Sequence, residues 1–141
     1  MTFEQFLSQS IPIVLADITA TRGSTPREAG TFMLISASGL WGTIGGGHLE
    51  FAAIDHARAI LSGGEADGMT TTTLGPDSGQ CCGGVVEVTF TLLGENRKEA
   101  LRLRFDEDQR RNRDVFVFGA GHVGRALATA LAPLPLRVVM V

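Results

Sequence analysis

Apolar and polar positions alternate along this chain in two periods, and the changes of period mark its elements. Phe3, Phe6 and Leu7 share one face of a short helix that Thr2 can cap. Ile11 to Ala20, rich in Ile, Val, Leu and Thr, predicts a strand. Thr21 to Gly30 (TRGSTPREAG) predicts a loop, because Gly23 and Pro26 both interrupt regular structure. Thr31 to Ser36 and Leu40 to Ile44 predict two more strands around the turn Ala37-Ser38-Gly39. From His48 to Leu61 the period becomes helical, with Leu49, Ala53, Ala57 and Ile60 on one face. Thr70 to Leu74 predicts a short strand, Gly75 to Gly84 a loop, and Val85 to Leu93 a further strand. The expected fold class is α/β: a mixed α/β unit over 1–94 with the strands as its core.

The end of the chain has a different pattern. Val115-Phe116-Val117-Phe118 is the apolar run of a buried parallel strand. Gly119-Ala120-Gly121-His122-Val123-Gly124 follows at once. Arg125 to Leu131 then predicts a helix and Leu136 to Val141 a second strand. Strand, Gly-x-Gly-x-x-Gly, helix and strand form the opening βαβ of a Rossmann-like domain. Gly119 gives the tight turn, Gly121 the close approach of a pyrophosphate, and Gly124 the packing of helix on strand. The acid that would hold a nucleotide ribose belongs just after the second strand, where this chain stops, so we expect a fragment with an incomplete Rossmann-like domain over 115–141.

Between these units lies a charged connector, 95–114 (ENRKEALRLRFDEDQRRNRD), expected to be part helix with a break at Phe105-Asp106-Glu107-Asp108. It holds seven of the twelve bases and six of the fifteen acids, the mixture of a solvated segment. Residues 1–94 hold nine acids and three bases, Arg22, Arg27 and Arg58, a poor balance for nucleic acid. No stretch approaches the roughly 20 apolar residues of a membrane span, and MTFEQFLSQS lacks the basic start of a secretory signal. One lysine, Lys98, lies outside any glycine loop, which excludes a P-loop; zincin, α/β-hydrolase and thioredoxin motifs are also missing.

The eighteen glycines cluster in loops with candidate chemistry. In the first, Arg22, Gly23, Ser24 and Arg27 offer guanidinium and hydroxyl donors for an anion, unless Arg27 simply pairs with a carboxylate such as Glu28. In the second, Gly45, Gly46 and Gly47 lead into a helix, whose free N–H groups favour an anion. His48 and Glu50 sit in its first turn, and complementing the helix dipole would by itself explain Glu50. In the third, Gln80, Cys81, Cys82 and Gly83 set two thiols between glycines. Their spacing does not suit structural zinc, and a reducing compartment disfavours a disulfide. They read as small buried residues, or as a reactive thiolate or soft-metal ligand.

Four strings in order, RGSTPREAG (22–30), LWGTIGGGHLE (40–50), LGPDSGQCCGG (74–84) and FGAGHVG (118–124), resemble the xanthine dehydrogenase accessory family of XdhC/CoxI type. The GGGHLE and GQCCGG forms resemble its xanthine dehydrogenase branch. The resemblance implies a cytoplasmic chaperone, not itself an enzyme, that binds the molybdenum cofactor (molybdopterin). It implies sulfuration of that cofactor with a cysteine desulfurase and delivery to a molybdenum hydroxylase such as xanthine dehydrogenase. A homodimer and a two-part build, an N-terminal unit before a Rossmann domain, are implied as well. Of the cysteine pair, the resemblance associates Cys82 with the cofactor and its metal. On this expectation Arg22, Ser24, Arg27 and the Gly45–Gly47 turn hold the phosphate, and Glu50 or Gln80 reads the pterin edge. A nucleotide at Gly119, Gly121 and Gly124 is the accompanying expectation for the Rossmann part. The rival readings are an NAD(P)-dependent oxidoreductase using that loop and a redox-sensing module using Cys81 and Cys82.

Overall fold

The computed structural model describes residues 1–64, 67–73, 83–134 and 136–141, and of Asp67 the backbone alone. The chain divides into two compact units, Met1–Gly94 and Glu95–Val141.

The first unit runs α1 (Phe3–Leu7), β1 (Ile13–Arg22), β2 (Phe32–Ser36), β3 (Leu40–Gly42), α2 (Gly47–Leu61), β4 (Asp67–Thr73) and β5 (Val85–Leu92). Thr2 and Gln5 close a capping box on α1, and Phe3, Phe6 and Leu7 are its buried face. The strands form one antiparallel sheet in the order β3-β2-β1-β5-β4. Alternation sends Val14, Ala16, Ile18, Met33, Ile35, Val86, Val88 and Phe90 to one face, where Leu49, Ala53, Ile54, Ala57 and Ile60 of α2 meet them. Each large apolar side chain buried there contributes roughly 1.5–3 kcal/mol. On the other side of the unit, Phe3 of α1 meets Trp41 and Phe32, with ring centroids 5.0 and 6.2 Å away.

β1 begins and ends two residues later than the alternation of Ile11 to Ala20 predicts. Thr21 and Arg22 stay extended because β5 offers them Val86 and Val85 as partners, past a register shift between Ile18 and Ala20. β4 begins at Asp67, before the expected Thr70, by pairing with Thr91 of β5. Leu74, and the part of the predicted 75–84 loop before Gly83, lie outside the described residues.

The second unit comprises α3 (Glu95–Arg111), β6 (Arg113–Val117), α4 (His122–Leu131) and β7 (Leu136–Met140). β6 and β7 pair in parallel through the helical crossover, so the strand–glycine loop–helix–strand order is a Rossmann-like βαβ. Two expectations are corrected here. The charged connector is one 17-residue helix with no break at Phe105–Asp108. Acids lack the breaking effect of Gly or Pro, and i,i+3 and i,i+4 pairs (Glu95–Lys98, Glu99–Arg102, Glu107–Arg111) run along the helix, the last starting within the expected break. Arg113 and Asp114 fall in β6 rather than in a connector, because Asp114 pairs in register with Arg137 of β7. The apolar run of β6 is also less buried than its composition suggests: Val117 is buried, but Phe116 is 55% exposed.

Candidate functional site

The loop after β1 and the Gly83–Gly84 entry to β5 meet where Arg22 pairs with Val85. A Cβ on Gly84 would lie 2.2 Å from the Ser24 carbonyl oxygen and 2.8 Å from that of Arg22. Gly23 faces the same strand entry, its Cβ position 3.4 Å from the Gly84 Cα. Only a residue without a side chain lets these two backbones approach so closely. Farther along the first loop, Pro26 and Arg27 press on Gly45, where an added Cβ would meet Pro26 Cγ at 2.6 Å. The Arg22–Arg27 loop therefore touches both of the other glycine segments. Thr25 Oγ1 donates to the Arg27 carbonyl at 3.0 Å, which fixes the bend that carries Arg27.

The Gly45-Gly46-Gly47 turn has φ of 125°, 77° and 61°. An L-residue would be strained by roughly 1–2 kcal/mol at each left-handed position. With glycine as N-cap, α2 has no side-chain cap from that position. Glu50 takes over the function from inside the helix. Its Oε2 accepts from Thr43 Oγ1, from the Ile44 N–H at 3.3 Å and from the Gly46 N–H at 3.1 Å. The Gly45 N–H donates to Thr43 Oγ1 at 3.2 Å. The anion at this helix start is thus a carboxylate of the chain itself. These three N–H groups are engaged internally, and Glu50 Oε2 is committed to the turn rather than turned outward. Of the alternatives open in the sequence, dipole and turn complementation describes Glu50.

Arg22, Ser24, Arg27 and His48 are exposed. Among the described residues neither arginine forms an ion pair, so the pairing of Arg27 with Glu28 does not occur. Two guanidinium groups without an ion pair to any described residue thus lie on a loop anchored by glycine contacts at both ends. Gln80, Cys81 and Cys82 lie outside the described residues; Gly83, which follows them in sequence, has φ 65°, and no described residue lies within 4 Å of where its Cβ would stand. Among the described residues no cluster of His, Cys, Asp and Glu is suited to hold a metal.

In the second unit, Gly119 takes φ 100°, and its N–H donates to the Val141 carbonyl at 2.8 Å. A Cβ on Gly124 would lie 1.8 Å from the Gly119 carbonyl oxygen, so the third glycine is what lets α4 sit on the loop. Gly121 caps α4 in extended backbone. An open cleft of about 510 Å³ runs beside the loop, lined by Phe118, Gly119, Gly121, His122, Val123 and Leu127 among others.

The profile of the XdhC and CoxI family matches residues 6–75, a span that contains the first two glycine loops. Over 129 residues the chain is 30% identical to the protein YqeB of Escherichia coli K12, covering 89% of this chain and 21% of YqeB. Over residues 6–75 the chain belongs to the XdhC and CoxI family. It spans about a fifth of the length of the curated relative it matches. In fold it is similar to a crystal structure described as a xanthine dehydrogenase from Bacillus halodurans, with a TM-score of 0.76, 15% identity, and coverage of 97% of this chain and 60% of that one. Among the described residues no helix is long and apolar enough to cross a membrane.

One residue escaped the sequence reading. His56, on the sheet-facing side of α2, is half-buried, its ring 4.4 Å from that of Phe90. The signal was present: Leu49, Ala52, Ala53 and His56 follow the i, i+3, i+4, i+7 spacing of a helix face.

Proposed function

We propose that the chain is a binding and delivery unit for the molybdenum cofactor, acting as an accessory to xanthine dehydrogenase or a related molybdenum hydroxylase. One observation carries this reading: the Arg22–Arg27 loop packs on both Gly45 and Gly84, which brings its two arginines to the glycine turn before α2 and to the start of β5. Membership of the XdhC and CoxI family supports it. When bound, molybdopterin brings a phosphate, a hydrogen-bonding pterin and a dithiolene-held metal.

The residues present fit that group in part. Arg22 and Arg27 are exposed, without ion-pair partners among the described residues, and suit bidentate contacts to a phosphate, with Ser24 as a further donor. The Gly45–Gly47 turn supports Arg27 through Gly45, and Thr43 and Glu50 already engage its Gly45 and Gly46 N–H groups, so the arginines are the main phosphate donors in this reading. Cys82 is the proposed thiolate near molybdenum or sulfur, with a cysteine desulfurase as the sulfur source and a homodimer as the working form. Gln80 is the remaining candidate for the pterin edge.

The test is to purify the protein without oxygen from molybdenum-replete cells and measure bound molybdenum and pterin fluorescence. Both should be present, and both should fall in Arg27→Ala and Cys82→Ala while the fluorescence melt of Trp41 stays unchanged. Absence of pterin together with tight stoichiometric NAD binding would overturn the reading. That outcome favours the second reading, an NAD(P)-dependent oxidoreductase, for which the Gly119–Gly124 geometry is the supporting observation.

A further inference from the structure

Between α2 and the edge strand β4 lies a cleft of about 270 Å³. Val88 floors it, Leu49, Ala52 and His56 wall it on the helix, and Thr70 and Thr72 wall it on the strand. Its origin lies in the register. Gly68, Thr70 and Thr72 pair with Phe90, Val88 and Val86, which puts them on the α2 face of the sheet. Elsewhere that face is filled by large apolar side chains. Here β4 contributes a glycine and two threonines, and α2 contributes Ala52 and Ala53.

Among the described residues the polar groups around this gap have no hydrogen-bond partner. The His56 ring leans on Phe90 at 4.4 Å and 49°, and its Nε2 lies 3.6 Å from where a Cβ on Gly68 would stand. The Thr70 and Thr72 hydroxyls and the His56 ring nitrogens make no hydrogen bond to another described residue. Among the described residues the lining carries no carboxylate, lysine or arginine. A charged ligand would lose hydration there without gaining a counter-charge. A neutral one with acceptors and donors on its edge would find partners of both kinds in the hydroxyls and the imidazole. The volume lies below the roughly 300–1,000 Å³ of pockets for drug-sized molecules, which limits the occupant to one or two rings.

We propose that this cleft binds a small neutral heteroaromatic ring, flat enough for the gap between α2 and β4 and hydrogen-bonded by His56, Thr70 and Thr72. The inference does not depend on the molybdenum-cofactor reading. Pterins and oxopurines both belong to the class.

The experiment is an NMR titration of the full labelled chain with 6-hydroxymethylpterin and, separately, hypoxanthine. The His56 imidazole and the Thr70 and Thr72 methyl signals should shift saturably with at least one of them, and the ring that shifts them names the occupant. Benzoate, flat but charged, should leave them in place. Thr70→Val/Thr72→Val keeps shape and strand preference while removing both hydroxyls, and should weaken binding about tenfold. Ala52→Leu, at an exposed helix position, should fill the gap and abolish binding. The Trp41 melt checks that each variant folds, and the threonine double variant carries the test if Ala52→Leu does not. No saturable shift with either heterocycle overturns the proposal, as does unchanged affinity in the threonine variant or equal binding of benzoate. Loss of molybdenum in the Arg27 or Cys82 variants bears on the cofactor reading and leaves this one standing.

Discussion

Gly84→Ala tests the convergence of the loops directly. The new Cβ would stand 2.2 Å from the Ser24 carbonyl oxygen, and a carbon-to-oxygen contact needs about 3.3 Å or more. The β1 exit and the β5 entry must therefore part by roughly 1 Å, at the register pair Arg22–Val85. Overpacking of this kind costs about 1–3 kcal/mol. For a unit of this size each kcal/mol lowers Tm by roughly 4–8 °C. The single tryptophan, Trp41, sits against Phe3 and Phe32 and reports melting of the first unit by its fluorescence. Gly83→Ala is the matched control. It has φ 65° and no described residue within 4 Å of an added Cβ, so alanine there costs about 1–2 kcal/mol of backbone strain without pushing on the Arg22–Arg27 loop. Both variants should lose stability, but only Gly84→Ala should shift the amide signals of Arg22 to Arg27. A Gly84→Ala protein that melts within about 2 °C of the parent, or that leaves those amides unmoved, would refute the close packing.

Other outcomes follow from the same geometry. Glu50→Ala orphans the donors of Thr43, Ile44 and Gly46 and should cost about 1–3 kcal/mol by urea denaturation, with Glu50→Gln milder because an amide oxygen remains. Gly124→Ala places a Cβ 1.8 Å from the Gly119 carbonyl oxygen and should loosen the second unit, seen as faster amide exchange in α4, with the Trp41 melt unaffected. Hydrogen bonds from the Arg137 guanidinium hold the Asp114 carboxyl below its ordinary value. The folded state therefore binds fewer protons there than the unfolded one, and the pair's stabilisation is complete above the ordinary carboxylate range and lost as pH falls through the lowered value. Asp114→Asn should flatten that part of the acid dependence of β6–β7 amide exchange, and an unchanged profile would remove the pair from the account.

Much of the fold was legible in the residues because local physics sets it. The α2 core face, Leu49, Ala53, Ala57 and Ile60, follows from a helical period, and the Thr2–Gln5 box from capping chemistry. The Gly124 packing role follows from the spacing of a known turn. Element ends were less legible. β1 runs to Arg22 because β5 pairs with it, and α3 crosses Phe105–Asp108 with ion pairs along its length, whereas the sequence suggested a stop at each.

The site divides in the same way. The sequence by itself singled out the glycine loops and their scarce arginines, since an unusual composition at a turn needs a backbone or ligand reason. Only the tertiary structure decided that Pro26 rests on Gly45 and that Gly84 meets Ser24, because contacts across the sheet depend on strand order rather than on spacing along the chain. It also decided that Glu50 occupies the anion position of its own helix. And it set His56 beside Thr70 and Thr72, residues that belong to one cleft only because β4 pairs at the sheet edge beside α2.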